Sequence, residues 1–191
     1  MIMQQNALVM KNYKAISKIR RSLENKKIIT SHRLIKKIVS KQQIKIDWKP
    51  TGLWYSIGTS WLDWCFAEQP DWIGKYIYKI EVNPKKILLI NTVKKLDDFS
   101  KHYKIVPEWM KTLKFKYNYI NWRRFSASYS GIEISPYQWK RRFDLLWYYG
   151  WDCSSGCIWN PNAIISLRLL YIYNSKSNEF RHVKHPIEIM D

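Results

Sequence analysis

The sequence predicts an α+β fold: a mainly antiparallel, split sheet with flanking helices and a basic N-terminal helical arm. Three observations carry that expectation. All eleven Trp lie beyond residue 47, so the apolar core is expected to begin near residue 48. Residues 1–47 hold twelve Lys/Arg against only Glu24 and Asp47, which places over half of the net charge of +18 in the first quarter of the chain. After residue 48, short apolar runs alternate with turn residues and helix-period stretches, as an α+β domain requires. The expected organisation is a basic helical arm over 1–47, an α+β domain over 48–175 and a tail over 176–191.

In the arm, Leu8, Val9, Tyr13, Ile16, Ile19 and Leu23 recur at intervals near three and four, which predicts a helix over 8–28. Leu34, Ile35, Ile38 and Val39 sit between lysines after Thr30 and Ser31, either of which suits an N-cap; a second helix over 30–46 follows. Pro50 and Gly52 introduce a strand at 53–55, and Ser60 caps a helix over 60–66. Residues 75–82 alternate at period two like a half-buried strand, and Asn83-Pro84 separates them from a buried strand at 87–90. A helix over 93–103 and another around 107–114 come next. Strands are expected at 131–134, 157–159 and 164–173, with 137–147 helical or loop.

Composition narrows the chemistry. Three Cys (Cys65, Cys153, Cys157) are too few and too odd in number for a disulfide framework. The chain lacks an apolar run long enough for a membrane helix and lacks a secretory leader, so an intracellular compartment (cytoplasmic or nuclear) and no membrane partner are expected. Cys153 and Cys157 have no second Cys/His pair at zinc spacing, so no metal is expected. No Walker loop, G-x-G-x-x-G or G-x-S-x-G is present. The strong positive charge favours nucleic acid or another polyanion as partner, and Lys11, Lys14, Lys18, Arg20, Arg21, Lys36 and Lys37 are the candidate contacts on the arm.

Two stretches look like the walls of a cleft. Residues 49–56 (KPTGLWYS) and 151–160 (WDCSSGCIWN) each run from turn chemistry into a short strand and set small polar groups beside aromatic rings. The order of Tyr55-Ser56 on a first strand, then YSGIEI at 129–134, then SGCIWN at 155–160 resembles the ADP-ribosyltransferase superfamily over roughly residues 49–170. That family's first strand often reads like LYHG or LYRG, and a later segment like YDGIEI. The resemblance implies NAD as substrate and a macromolecular acceptor recruited by the arm. It places Trp54, Ser56, Tyr129, Ser155 and Asn160 around the nucleotide and makes Tyr55, Glu133 and Asp152 the catalytic candidates. The chain departs from the family in two ways. Trp54, Tyr55 and Ser56 stand where the first strand usually carries Arg or His, and no Glu-x-Glu precedes the final strand. The acid is then Asp152 or Glu133, or the domain binds a nucleotide without turning it over.

Two other classes use the same residues. In a non-catalytic nucleic-acid-binding protein, Trp122-Arg123-Arg124 and Trp139-Lys140-Arg141-Arg142 would stack bases and neutralise phosphates. In a structural or interaction protein, for instance of a virus-like assembly, the exposed aromatics would be protein contacts.

Overall fold

A computed structural model describes residues 14–112 and 118–184 of the chain. They form an α+β fold with mostly antiparallel strands, divided into two compact units. The first unit gathers residues 1–38, 55–82 and 164–191; the second gathers 39–54 and 83–163. The break expected at residue 48 therefore does not coincide with the division of the chain.

In the first unit the strand order is β10-β9-β3-β1-β2, every pair antiparallel. β1 (Lys27–Ser31) lies between β2 (Leu53–Ile57, whose last three residues belong to this unit) and β3 (Tyr76–Val82). Its Ile29 and Thr30 sit opposite Tyr78 and Ile77 of β3. This corrects the expected helix over 30–46. Ile28, Ile29 and Thr30 are β-branched and suit a pleated, half-buried strand, and no helix forms among residues 34–44.

The expected first helix is partly present, as a helical turn at 14–17 followed by α1 (Arg20–Leu23); residues 8–13, with Lys11, lie outside the described residues. Its apolar spacing holds: Ala15, Ile16, Ile19 and Leu23 pack with Ile28, Leu62, Ile77, Tyr171 and Phe180. The segment from Ala15 to Ile28 is thus part of this unit's core and not of a separate arm. The expected tail is also drawn in: β10 (Glu179–His182) pairs with β9 (Ile164–Asn174), and Phe180 is buried. α2 (Ser60–Glu68) buries Leu62 and Cys65.

The second unit orders its strands β8-β7-β4. β4 (Ile87–Ile90) runs parallel to β7 (Gly131–Ile134), which pairs antiparallel with β8 (Ser155–Ile158). A parallel pair needs a crossover. α3 (Val93–Tyr103), the two-residue strands β5 (Lys104–Ile105) and β6 (Tyr119–Ile120) and α4 (Trp122–Ser126) supply it. Thr92 Oγ1 caps α3 by accepting from the Lys95 amide at 3.2 Å, and Asn121 Oδ1 caps α4 by accepting from the Arg124 amide at 3.0 Å. Around 107–112 the expected helix is a single 3₁₀ turn, Glu108–Met110.

The core of this unit is mostly aromatic. Phe99, Trp122, Phe125, Trp147, Tyr148, Trp151 and Trp159 pack with Leu96, Ile132 and Ile134. Three of these indoles are buried with their polar edges satisfied. Trp147 Nε1 donates to Ser100 Oγ at 3.0 Å, Trp122 Nε1 to the Asp47 carbonyl at 3.0 Å and Trp159 Nε1 to the Tyr129 carbonyl at 2.7 Å.

Candidate functional site

The two stretches singled out in the sequence are placed unequally. Tyr55 and Ser56 belong to the first unit and are only 2% and 3% exposed. Lys27 Nζ stands 5.4 Å from the Tyr55 ring centroid. Trp54 and residues 151–160 belong to the second unit, and there a site can be built from the residues upward.

Its base is the segment 41–52. Gln43 is buried and clamps the chain around Lys49: its Nε2 donates to the Thr51 carbonyl at 2.6 Å and its Oε1 accepts from the Thr51 amide at 3.0 Å. Gly52 follows, where a Cβ would fall 2.3 Å from the Ile158 carbonyl oxygen, so only glycine lets the chain approach β8 this closely. Lys49 then lies across Gly150, with its Nζ 3.6 Å from Asp152 Oδ2 and 5.5 Å from the Trp54 ring centroid.

Above this base runs a continuous chain of ring contacts. Trp54 meets Trp151 edge to face at 4.9 Å, and Trp151 meets Tyr148 at 6.2 Å. Tyr148 stacks on Tyr137 at 5.1 Å, and Tyr137 meets Trp139 at 4.7 Å. The segment that follows β7 is pinned in place. The Tyr137 amide donates to Ser154 Oγ at 2.9 Å, the Gln138 amide to Tyr148 Oη at 2.8 Å, and Gln138 Nε2 to the Pro136 carbonyl at 2.7 Å. The stretch 137–147, helical or loop by sequence, resolves into a 3₁₀ turn, Trp139–Arg141, and the short helix α5 (Leu146–Tyr149).

Four buried side-chain polar atoms among the described residues have no hydrogen-bond partner, and three of them belong to this wall: Tyr137 Oη, Arg142 Nε and Trp151 Nε1. The fourth is Ser56 Oγ. An unmade hydrogen bond in a buried position costs about 1–3 kcal/mol, so these three groups set the polar character of the wall. Electrostatics reinforce the pattern. Burial pushes the Asp152 carboxyl above its ordinary value, opposed by Lys49 and Arg142. Burial pushes the Tyr137 hydroxyl up to about 12, opposed by Arg142, so it remains a donor over the ordinary pH range. The wall therefore offers two cations, one carboxylate, three donors and flat rings.

Other predicted residues do different work. Glu133 lies on β7 between β4 and β8, 6% exposed, opposite Leu89 and Gly156. Its neighbours Ile132 and Ile134 point into the aromatic core, so Glu133 takes the other face of the strand, away from the core on which Asp152's wall is built. Ser155 Oγ donates to the Cys153 carbonyl at 3.0 Å, and Asn160 Oδ1 accepts from the Asn162 amide at 3.1 Å. Tyr129 packs on Phe125 at 5.3 Å. Of the basic set near the N-terminus, Lys18 pairs with Glu179, and Arg20 grips Asp63 through two bonds of 2.6 and 2.9 Å. Lys14, Arg21, Lys36 and Lys37 are exposed.

Lys49, Tyr137 and Arg142 were not among the residues the sequence assigned to the nucleotide. Lys49 stood inside the first stretch, but nothing in sequence paired it with Asp152 a hundred residues on. Cys65, Cys153 and Cys157 are buried, and none is in a disulfide. Among the described residues no group of three His, Cys, Asp or Glu is placed to hold a metal, and no helix is long and apolar enough to cross a membrane. No protein family, curated protein or solved structure matches the chain.

Proposed function

We propose that the wall formed by Lys49, Trp54, Tyr137, Arg142, Trp151 and Asp152 binds a nucleotide, and that the chain is an NAD-using ADP-ribosyltransferase-like protein. The observation that carries this is the convergence of three unpartnered buried polar groups with the Lys49–Asp152 pair and a run of rings. Each feature answers a part of the substrate. The Lys49 ammonium and the Arg142 guanidinium suit the diphosphate. Trp151 Nε1 and Tyr137 Oη suit ribose hydroxyls, and the rings suit a base.

Asp152 is the carboxylate of this wall and takes the catalytic role. When the bond between ribose C1′ and the nicotinamide nitrogen breaks, its electron pair leaves with nicotinamide and positive charge builds on the ribose. A carboxylate held beside that ribose stabilises the developing charge. The acceptor's nucleophile then closes on C1′. Lys49 balances Asp152 until the phosphates draw the ammonium away.

The test is nicotinamide release from NAD by the full chain. Asp152→Asn should lower the rate about 100-fold or more, the scale of losing one electrostatic stabiliser, while Glu133→Gln keeps it. Release that survives Asp152→Asn and disappears in Glu133→Gln would transfer the acid to β7. NAD that binds without release would leave a nucleotide-binding domain and remove the transfer step.

A further inference from the structure

The segment 139–149, which shares Arg142 with the nucleotide wall, displays a second constellation. Trp139 is 66% exposed, Phe143 82% and Tyr149 49%. Their rings surround one guanidinium: Arg142 Cζ lies 5.6 Å from the Trp139 centroid, 5.7 Å from Phe143 and 5.9 Å from Tyr149. Phe143 and Tyr149 also meet each other at 6.0 Å. Exposing three large rings in one place forfeits burial that a chain with an aromatic core could otherwise have used, and such patches mark contact sites.

The platform is held stiffly. Arg141, next to Arg142, bonds Asp97 twice, at 2.7 and 2.9 Å, and reaches Asp144 at 3.3 Å. That arrangement neutralises the two nearby acids and anchors the turn to α3. Arg142 is left with its charge uncompensated by an ion pair among the described residues, with its Nε buried and unpartnered, and beside exposed Lys140. The sequence had grouped Lys140, Arg141 and Arg142 as equivalent cations, but Arg141 is a structural clamp and the other two are available.

We propose that this platform binds single-stranded nucleic acid. Unpaired bases present flat faces that stack on Trp139, Phe143 and Tyr149, and the phosphates between them meet Arg142 and Lys140. Charge complementarity selects this occupant. Arg142 and Lys140 have no ion-pair partner among the described residues, and the net charge of +18 favours a polyanion. Unlike a duplex, whose bases are stacked on each other, a single strand can use the rings.

The test is fluorescence anisotropy of the full chain with a fluorescein-labelled oligothymidylate and with a duplex of equal length, at several salt concentrations. The single strand should bind more tightly than the duplex. Trp139→Ala with Phe143→Ala should weaken it about tenfold or more, with the melting temperature unchanged. Arg142→Gln should reduce the slope of log affinity against log salt by about one. Replacing Lys36 and Lys37 by Ala is the control for diffuse attraction. Equal affinity for both probes, or loss only in the Lys36/Lys37 variant, overturns the proposal. So does a double ring variant that abolishes self-association in sedimentation and leaves oligonucleotide binding intact, because the platform would then be a contact between copies. NAD turnover does not enter any arm, so the two proposals fail separately.

Discussion

Among the described residues, two clusters of accessible aromatic rings are built on different principles. In the first unit, Trp61 and Trp64 stack at 5.0 Å and 14°, and Trp72 closes on them at 6.1 and 5.7 Å. Ring covers ring, and the charged residues along the segment are the acids Asp63, Glu68 and Asp71. In the second unit, Trp139, Phe143 and Tyr149 turn toward one guanidinium and stay exposed. The first arrangement packs ring on ring and adds to α2, with Trp72 still 52% exposed; the second gathers its rings around a guanidinium that has no ion pair among the described residues. The lesson concerns how aromatic-rich sequences are read. The number of Trp says little about binding, whereas an uncompensated cation among exposed rings says a good deal.

The comparison can be broken in order of effect. Trp147 is fully buried and belongs to neither cluster. Trp147→Ala should cost about 3–5 kcal/mol in denaturant unfolding, which sets the scale of a core ring. Trp64→Ala should cost less, about 1–2 kcal/mol, because a half-covered stacked ring loses one partner and part of its burial. Trp139→Ala should leave stability within about 0.5 kcal/mol, as an exposed position does. If Trp139→Ala destabilised the chain as much as Trp64→Ala, the open cluster would be packing, and the distinction between the two would collapse.

The smallest expected effect concerns pH. Because burial raises the Asp152 carboxyl, the folded chain takes up that proton before the unfolded chain does. The cost of its charge is present above the folded pKa and is relieved as pH falls through it. Asp152→Asn should therefore melt slightly higher than the unaltered chain at neutral pH, with the gap closing in acid. A variant that melts lower at neutral pH, with the deficit vanishing in acid, would mean that Lys49 outweighs burial.

Much of the frame was legible in the residues. The alternation of 75–82, the apolar run at 87–90 and the helical stretch at 93–103 are local signals, and they became β3, β4 and α3. What was missed is non-local. Leu34, Ile35, Ile38 and Val39 imitate a helical stripe but form no helix, and β1 falls where the first expected helix ends and the second begins, because the pairing of Ile28–Thr30 with β2 and β3 depends on strands far along the chain. The same holds for the site. Trp54 and Asp152 were recognisable as polar and aromatic groups near turns, but the Lys49–Asp152 pair and the ring path through Tyr148 and Tyr137 arise only on folding. Charge misled for a related reason. Lys18 and Arg20 counted as free cations until Glu179 and Asp63 met them.

The central claim is that the wall beneath Trp54 and Trp151, and not the self-packed trio, takes the nucleotide. Indole N–H signals of a ¹⁵N-labelled chain, followed during titration with ADP-ribose, test it directly. Each Trp carries one such reporter, and the Trp151 N–H is buried without a partner from the protein. Trp151 should shift most and Trp54 next, both losing the response in Arg142→Gln, with Trp61, Trp64 and Trp72 unmoved. Shifts confined to the trio, or no shift at Trp151 at saturating ligand, would contradict it.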